Sequence, residues 1–179
     1  MRNIEIEKIV LNCGGIEDKL ERSIKLLEII TKRKVQTIKS TRRLPGFGIS
    51  PGKKSGCKVT IRKKQEIISI LKRLFAAVDN HISPKQVVEN HASFGIREYI
   101  EIPGMEYNRD IGMLGLEIDI VFKRKGKRVK MKKIKKGKYP KKQNVTKEEI
   151  VDYLIKQFNL EVEHHDRKWL EKIFETICK

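Results

Sequence analysis

Gly56-Cys57-Lys58-Val59-Thr60-Ile61-Arg62 alternates apolar side chains with basic or hydroxyl ones. Gly115-Leu116-Glu117-Ile118-Asp119-Ile120-Val121-Phe122 alternates apolar side chains with acidic ones. A period of two belongs to a β-strand with one buried and one open face. Cys57, Val59 and Ile61 therefore face a core, and Lys58, Thr60 and Arg62 leave a rigid basic face outside. Leu116, Ile118, Ile120 and Phe122 point inward from the second strand, with Glu117 and Asp119 on its other side.

Other elements extend outward from these two. Ile4 to Asn12 reads as a strand that Cys13-Gly14-Gly15 breaks. Ile16, Leu20, Ile24, Leu27 and Ile30 follow at helical steps, with Glu17, Asp18 and Glu21 at the start and Lys32, Arg33 and Lys34 at the end, as the helix dipole favours. Val35 to Arg42 fits a weak strand pattern. Pro45, Gly46, Gly48, Pro51, Gly52 and Gly56 predict a loop without regular structure from Arg43 to Gly56. Gln65 to Val78 predicts an amphipathic helix, Pro84 to Asn90 a short helix, and Ser93 to Ile102 a strand that pairs with Gly115 to Phe122. Thr146-Lys147-Glu148-Glu149 is a capping signal for a helix running to Phe158. Asp166 to Cys178 supplies Leu170, Ile173, Phe174 and Ile177 for a last helix, with Trp169 beside it. These elements divide the chain into a core (1–122), a basic extended segment (123–145) and a C-terminal helical part (146–179).

The charge is segregated. The 179-residue chain has a formal net charge of +18. Ile29 to Gln65 contains no acid, and Lys32 to Lys64 holds 12 basic residues. Lys123 to Lys142 holds 13 more, again without an acid. The remainder has 16 basic residues against 23 acidic ones, so a mildly acidic body carries two strongly cationic stretches. Blocks of one sign repel themselves and suit a polyanion, nucleic acid before an anionic membrane surface. Salt is then expected to weaken binding steeply. Aromatics at 6% disfavour a surface built mainly on base stacking. With so little to bury, the second stretch is expected to be extended or disordered on its own.

Several chemistries find little support. No apolar run is long enough for a membrane helix, the second stretch lacks apolar anchors at helical spacing, and MRNIEIEKIV does not read as a signal peptide. Cys13, Cys57 and Cys178 are odd in number and far apart, which predicts neither a disulfide framework nor a zinc half-site. His164 and His165 are adjacent and diverge on either a helix or a strand, so they read as surface histidines rather than metal ligands. Cys13 precedes two glycines beside a helix start, a setting that exposes a thiol, yet no base is identifiable for it. Glu5/Glu7 and Glu117/Asp119 read as exposed strand faces rather than acid–base pairs. Gly46-Phe47-Gly48 and Pro51-Gly52-Lys53-Lys54 lack phosphate-loop spacing. Phe47, flanked by glycines at a loop tip, either folds back on the core or packs on a sugar or base of RNA. An RNA-directed enzyme using Cys13 or a carboxylate has no convergent constellation to support it.

Three strings carry a resemblance: IEKIVLNCGG, RRLPGFGISPGKKSGCKVTIR and SFGIREYIEIPGMEYNRDIGMLGLEIDIV. In this order they resemble the universal large-subunit ribosomal protein family that binds 5S rRNA, over about Arg2 to Phe158. The short N-terminus and VTKEEIVDYLIKQF after a basic segment are similar to its archaeal and eukaryotic branch. The resemblance implies an α+β fold with helices on one face of an antiparallel sheet, no enzymatic activity and no cofactor. It implies a structural role joining 5S rRNA to large-subunit rRNA in the central protuberance. A long loop would reach toward peptidyl-site tRNA. The other 5S-binding large-subunit protein and a small-subunit head protein would be its protein neighbours, in cytoplasmic ribosomes (with a nucleolar stage in a eukaryote). Asn12, Phe47 and Thr60 match family positions of the 5S surface, where Lys39, Arg42, Arg43, Lys58 and Arg62 would neutralise phosphates. The tRNA-facing loop falls on Gly48, Ile49, Ser50, Pro51, Gly52, Lys53 and Lys54. Ser93 and Phe94 are assigned to other rRNA. So are the cations of the second stretch, Lys123, Arg124, Lys125, Lys127, Arg128, Lys130, Lys132, Lys133, Lys135, Lys136 and Lys138. Arg33 replaces the family's glutamine after the first helix, the glycine turn is shifted to Gly14-Gly15-Ile16, and the segment from Asp166 has no counterpart. The alternative reading is a non-ribosomal RNA-binding assembly or processing factor of the same fold.

Overall fold

Strand β1 (Ile4–Gly14) occupies the centre of the sheet because its neighbours on both sides match its alternation. In the computed structural model, which describes residues 3–162, β1 pairs antiparallel with β3 (Lys54–Ile61) on one side and β7 (Leu116–Arg124) on the other. Outside β3 lies β2 (Gln36–Lys39), and outside β7 lie β6 (His91–Ile96) and β5 (Val87–Val88). The six strands run in the order β2-β3-β1-β7-β6-β5, with every pairing antiparallel. Helices α1 (Asp18–Thr31), α2 (Lys64–Ala76), α3 (Arg128–Met131) and α4 (Lys147–Phe158) complete an α+β fold. A small parallel pair joins β4 (His81–Ile82) to β8 (Glu161–Val162). The expected helix Asp166 to Cys178 and the His164-His165 pair lie outside the described residues.

Register sets which side is buried. Ile9 lies between Ile61 and Ile120, Leu11 between Val59 and Ile118, and Phe94 opposite Ile118. All of these are buried, and α1, α2 and α4 add Leu26, Leu27, Leu71, Leu74, Ile150 and Leu154 to the same core. Each fully buried side chain of this kind contributes about 1.5–3 kcal/mol. Phe75 of α2 stacks on Phe94 at 5.0 Å and meets Phe158 edge-on at 5.1 Å. Helix α4 starts as its sequence predicts: Thr146 accepts from the Glu149 N–H, and the Glu149 carboxylate accepts from the Thr146 N–H at 3.0 Å.

Four local readings change. Strand β1 runs through Cys13 and Gly14 because Cys57 and Gly56 pair with them. A Cβ at Gly56 would sit 3.2 Å from the Cys13 carbonyl oxygen, so glycine lets the two strands stay close. The segment after β2 is not structureless. Pro45–Phe47 forms a 3-10 turn, Leu44 bridges Ile49, and β3 already begins at Lys54. Pro84 to Asn90 gives a 3-10 turn followed by β5, since Val87 and Val88 find partners in Ala92 and His91. Strand β6 ends at Ile96, and Tyr99–Glu101 turns instead, with the fully buried Tyr99 hydroxyl accepting from the Asn108 N–H at 2.8 Å.

Candidate nucleic-acid interface

The sheet face turned away from the core carries the side chains that alternate with it. Lys58 and Thr60 of β3 stand on this face beside Asn12 and Val10 of β1, and Gln36 of β2 lies opposite Lys58. Arg33 and Lys34, just before β2, rise beside them. Arg33, Lys34, Gln36, Lys58, Thr60 and Arg62 line a hollow of about 500 Å³ that no acid enters. Arg33 is held by an ion pair to Glu66. This basic surface includes Lys34 and Gln36, which motif matching did not select, and Arg33, which it noted only as a replacement for the family's glutamine. Their position two strands from Asn12 becomes visible only through the β2–β3 register.

Asn12 stands at a charge boundary. It lies between Lys58 on one side and Glu117 on the other, and its Nδ2 donates to Glu117 Oε2 at 3.2 Å. Beyond it the same face carries Glu117 and Asp119, with His91 Nε2 3.4 Å from Asp119. The open face is therefore basic on β2 and β3 and acidic on the first half of β7, at Glu117 and Asp119, before Lys123 near that strand's end. A polyanion lying on it is attracted to one half and repelled by the other.

The loop beyond β2 is built from its own backbone hydrogen bonds. The Ser40 N–H donates to Lys53 O at 2.9 Å, and the Gly52 N–H donates to Ser40 O at 2.8 Å. Leu44 and Ile49 exchange N–H to carbonyl bonds at 2.9 and 3.2 Å. Gly48 and Gly52 turn the chain at φ 63 and 86, which glycine adopts without strain. Ile49 is tucked in, while Lys39, Arg42, Arg43 and Lys54 are exposed. Phe47 is 74% exposed, so its ring does not fold back on the core. Lys53 Nζ lies 2.8 Å from Glu17 Oε1 and holds that carboxyl below its usual range. Of the two loop lysines expected to meet tRNA phosphates, Lys53 is thus tied to the body and Lys54 projects.

The second cationic stretch is partly built into the fold. Arg124 bonds Glu149 at 2.6 and 2.5 Å, and Lys127 bonds Glu7 at 2.7 Å, so both act as anchors rather than displayed charges. The Gly137 N–H donates to Val129 O at 3.2 Å, and the Tyr139 hydroxyl donates to Gln143 O at 2.9 Å. Lys125, Arg128, Lys130, Lys132, Lys133, Lys135, Lys136 and Lys138 are exposed, and Lys123 is half-buried. Phe94, expected on an rRNA surface, is corrected to a core residue: it is 5% exposed and packed on Phe75. Ser93 stays on the open face, opposite Asp119 on the acidic half. Cys13 does not present a thiol. It is buried, its Sγ–H donates to Gly115 O, and hydrogen bonding with Cys57 together with burial pushes its pKa up. Among the described residues no cluster of three metal-ligating side chains occurs, and no helix is long and apolar enough to cross a membrane.

Comparison with known proteins gives the family. Residues 54–153, which run from β3 into α4, match the model of the ribosomal L5 family C-terminus. Large ribosomal subunit protein uL5 of Picrophilus torridus is 39% identical over 90% of this chain and 94% of its own length. The uL5 proteins of Methanosphaera stadtmanae and Nanoarchaeum equitans are 37% and 35% identical, covering 88% and 90% of this chain and 95% and 97% of their own. These matches define a ribosomal protein, a structural component rather than an enzyme. The chain belongs to the uL5 family of large ribosomal subunit proteins, in its archaeal branch, and is a structural constituent of that subunit.

Proposed function

We propose that the basic half of the open face binds 5S rRNA and docks it on large-subunit rRNA in the central protuberance. The acid-free surface of Lys58, Thr60 and Arg62 carries this reading, with the exposed Phe47 in the loop that leads into the same strand. Lys39, Arg42, Arg43, Lys58 and Arg62 neutralise phosphates, each releasing counterions. Thr60 and Asn12 give hydrogen bonds, with the Asn12 amide aimed by Glu117. Phe47 packs on a ribose or base. The loop from Gly48 to Lys54 faces peptidyl-site tRNA, with Lys54 its displayed cation. The exposed cations of 123–145 settle on large-subunit rRNA and lose conformational freedom there. The other 5S-binding protein and a small-subunit head protein are its protein neighbours in cytoplasmic ribosomes. Binding of 5S rRNA by Phe47→Ala and by Arg42→Gln/Arg43→Gln tests the assignment. Each is expected to weaken affinity about tenfold at fixed salt. Wild-type affinity in both removes the site.

A further inference from the structure

Strands β3 and β7 are both antiparallel to β1, so they leave the sheet at the same end. The first cationic stretch ends just past the β3 exit, at Lys64, and the second starts at the β7 exit, at Lys123. Arg62 follows β3 on the open face, and Lys123, paired in register with Glu5, stands on that face two strands away. Between them lies a hollow of about 960 Å³, with Arg62 on one wall and Lys123, Lys125, Arg128, Lys132 and Lys133 around the other. Two acids reach it and both are engaged: Glu5 with Lys64 at 3.2 Å and Glu7 with Lys127 at 2.7 Å. Arg62 also lines the smaller hollow beside Lys58 and Thr60. The two hollows therefore share the Arg62 side chain as a wall.

We propose that the two cationic stretches make one composite groove, joined at Arg62, that holds a single unpaired RNA strand. This rests on the reading that the chain binds rRNA and adds that, at the Arg62 junction, one strand touches both the 5S-facing surface and the near end of the second cationic stretch. Charge alone would suit any polyanion, but two further features select a nucleic-acid strand. Met131 and Ile134 also line the larger hollow and are 64% and 80% exposed, which gives riboses and bases an apolar contact that bare phosphate cannot use. Lys58, Thr60 and Arg62 repeat along β3 at roughly 6.6 Å, a row of polar groups suited to following an extended backbone.

The test uses the full chain, an unpaired uridine oligonucleotide of about twelve nucleotides, a duplex RNA and inorganic tripolyphosphate, read by backbone amide NMR. With the single strand, the amides of Arg62, Lys123 and Lys132 should titrate together with one Kd. Lys132→Gln/Lys133→Gln should weaken the titration seen at Arg62 by roughly threefold to tenfold. Ile134→Ser should weaken RNA binding and leave tripolyphosphate binding unchanged. These side chains are exposed, and unshifted amides elsewhere confirm folding. An Arg62 titration indifferent to Lys132→Gln/Lys133→Gln means two separate sites and overturns the proposal. Equal affinity for tripolyphosphate, or tighter binding of duplex than of single strand, overturns it as well. Absence of any shift with the oligonucleotide also overturns it, and leaves 5S binding to be decided by the Phe47→Ala assay.

Discussion

Replacing Glu117 by Gln should strengthen RNA binding, and the effect should vanish with salt. Glu117 lies two strands from Lys58, with Asn12 between them. At strand spacings of roughly 4.8 Å, a phosphate seated over Lys58 is about 10 Å from the Glu117 carboxylate. Unit charges at that separation repel by about 0.4 kcal/mol in bulk water and about 1.7 kcal/mol at an effective dielectric of 20. An exposed face lies between, so about 1 kcal/mol is expected at 10 mM salt, where the Debye length is about 30 Å. That corresponds to roughly fivefold in affinity, falling below about twofold near 150 mM as the screening length drops to about 8 Å. Glutamine keeps an acceptor for Asn12 Nδ2, so the amide's orientation survives and the change isolates the charge. Fluorescence anisotropy with labelled 5S rRNA across a salt series measures it. Unchanged or weaker binding at low salt would show that RNA does not lie along the basic half of this face.

Phe94→Ala should cost about 3–5 kcal/mol of stability in urea unfolding, because the ring is buried against Phe75, whereas Phe47→Ala should stay within about 0.5 kcal/mol. Similar costs for the two would contradict their placements. Burial opposes ionisation of Glu149, but the Thr146 N–H and the Arg124 guanidinium outweigh it and hold the carboxyl below the ordinary 4.5. Its stabilisation is then complete above about pH 4.5 and fades as pH falls through the lower folded value. Glu149→Gln should lose about 1–2 kcal/mol at pH 7, discounted for partial exposure, with the difference from wild type shrinking in acid. A loss independent of pH would leave only the cap at work. Gly115→Ala should lower Tm by several degrees, since a Cβ there would lie 2.6 Å from Arg97 O and 2.7 Å from Ile96 O. An unchanged melting curve would exclude that close approach.

The half-buried strands were legible because one-sided burial leaves a period of two in the residues themselves. Cys57, Val59 and Ile61 announce their inner face wherever β3 is placed. The same signal identifies Phe94, since Ala92, Phe94 and Ile96 alternate into the core while His91, Ser93 and Gly95 do not. Motif likeness drew attention to the ring, and periodicity accounts for where it went. Local punctuation was less reliable. Cys13-Gly14 reads as a break until Cys57 and Gly56 pair with it, and the prolines and glycines from 45 to 52 mark turns without revealing that Ser40, Gly52 and Lys53 bond one another. Long-range pairing decided both cases.

Charge segregation was legible along the chain but not across the sheet. Lys58, Asn12 and Glu117 belong to separate stretches, and only the β3-β1-β7 order sets them side by side. That order carries a functional consequence. Glu117 and Asp119 next to the basic surface lower affinity, yet they also keep a polyanion off that part of β7, leaving it the β2–β3 half and the Lys123 end of the sheet. The same order brings the exits of β3 and β7 together, so that two cationic stretches separated by α2 and the β4-to-β6 region share Arg62 as a common wall. A chain with uniform positive charge would bind RNA in many poses. Placing negative charges at Glu117 and Asp119 and neutralising Lys127, Arg124 and Lys53 through Glu7, Glu149 and Glu17 removes most of those poses, leaving the exposed cations along one path.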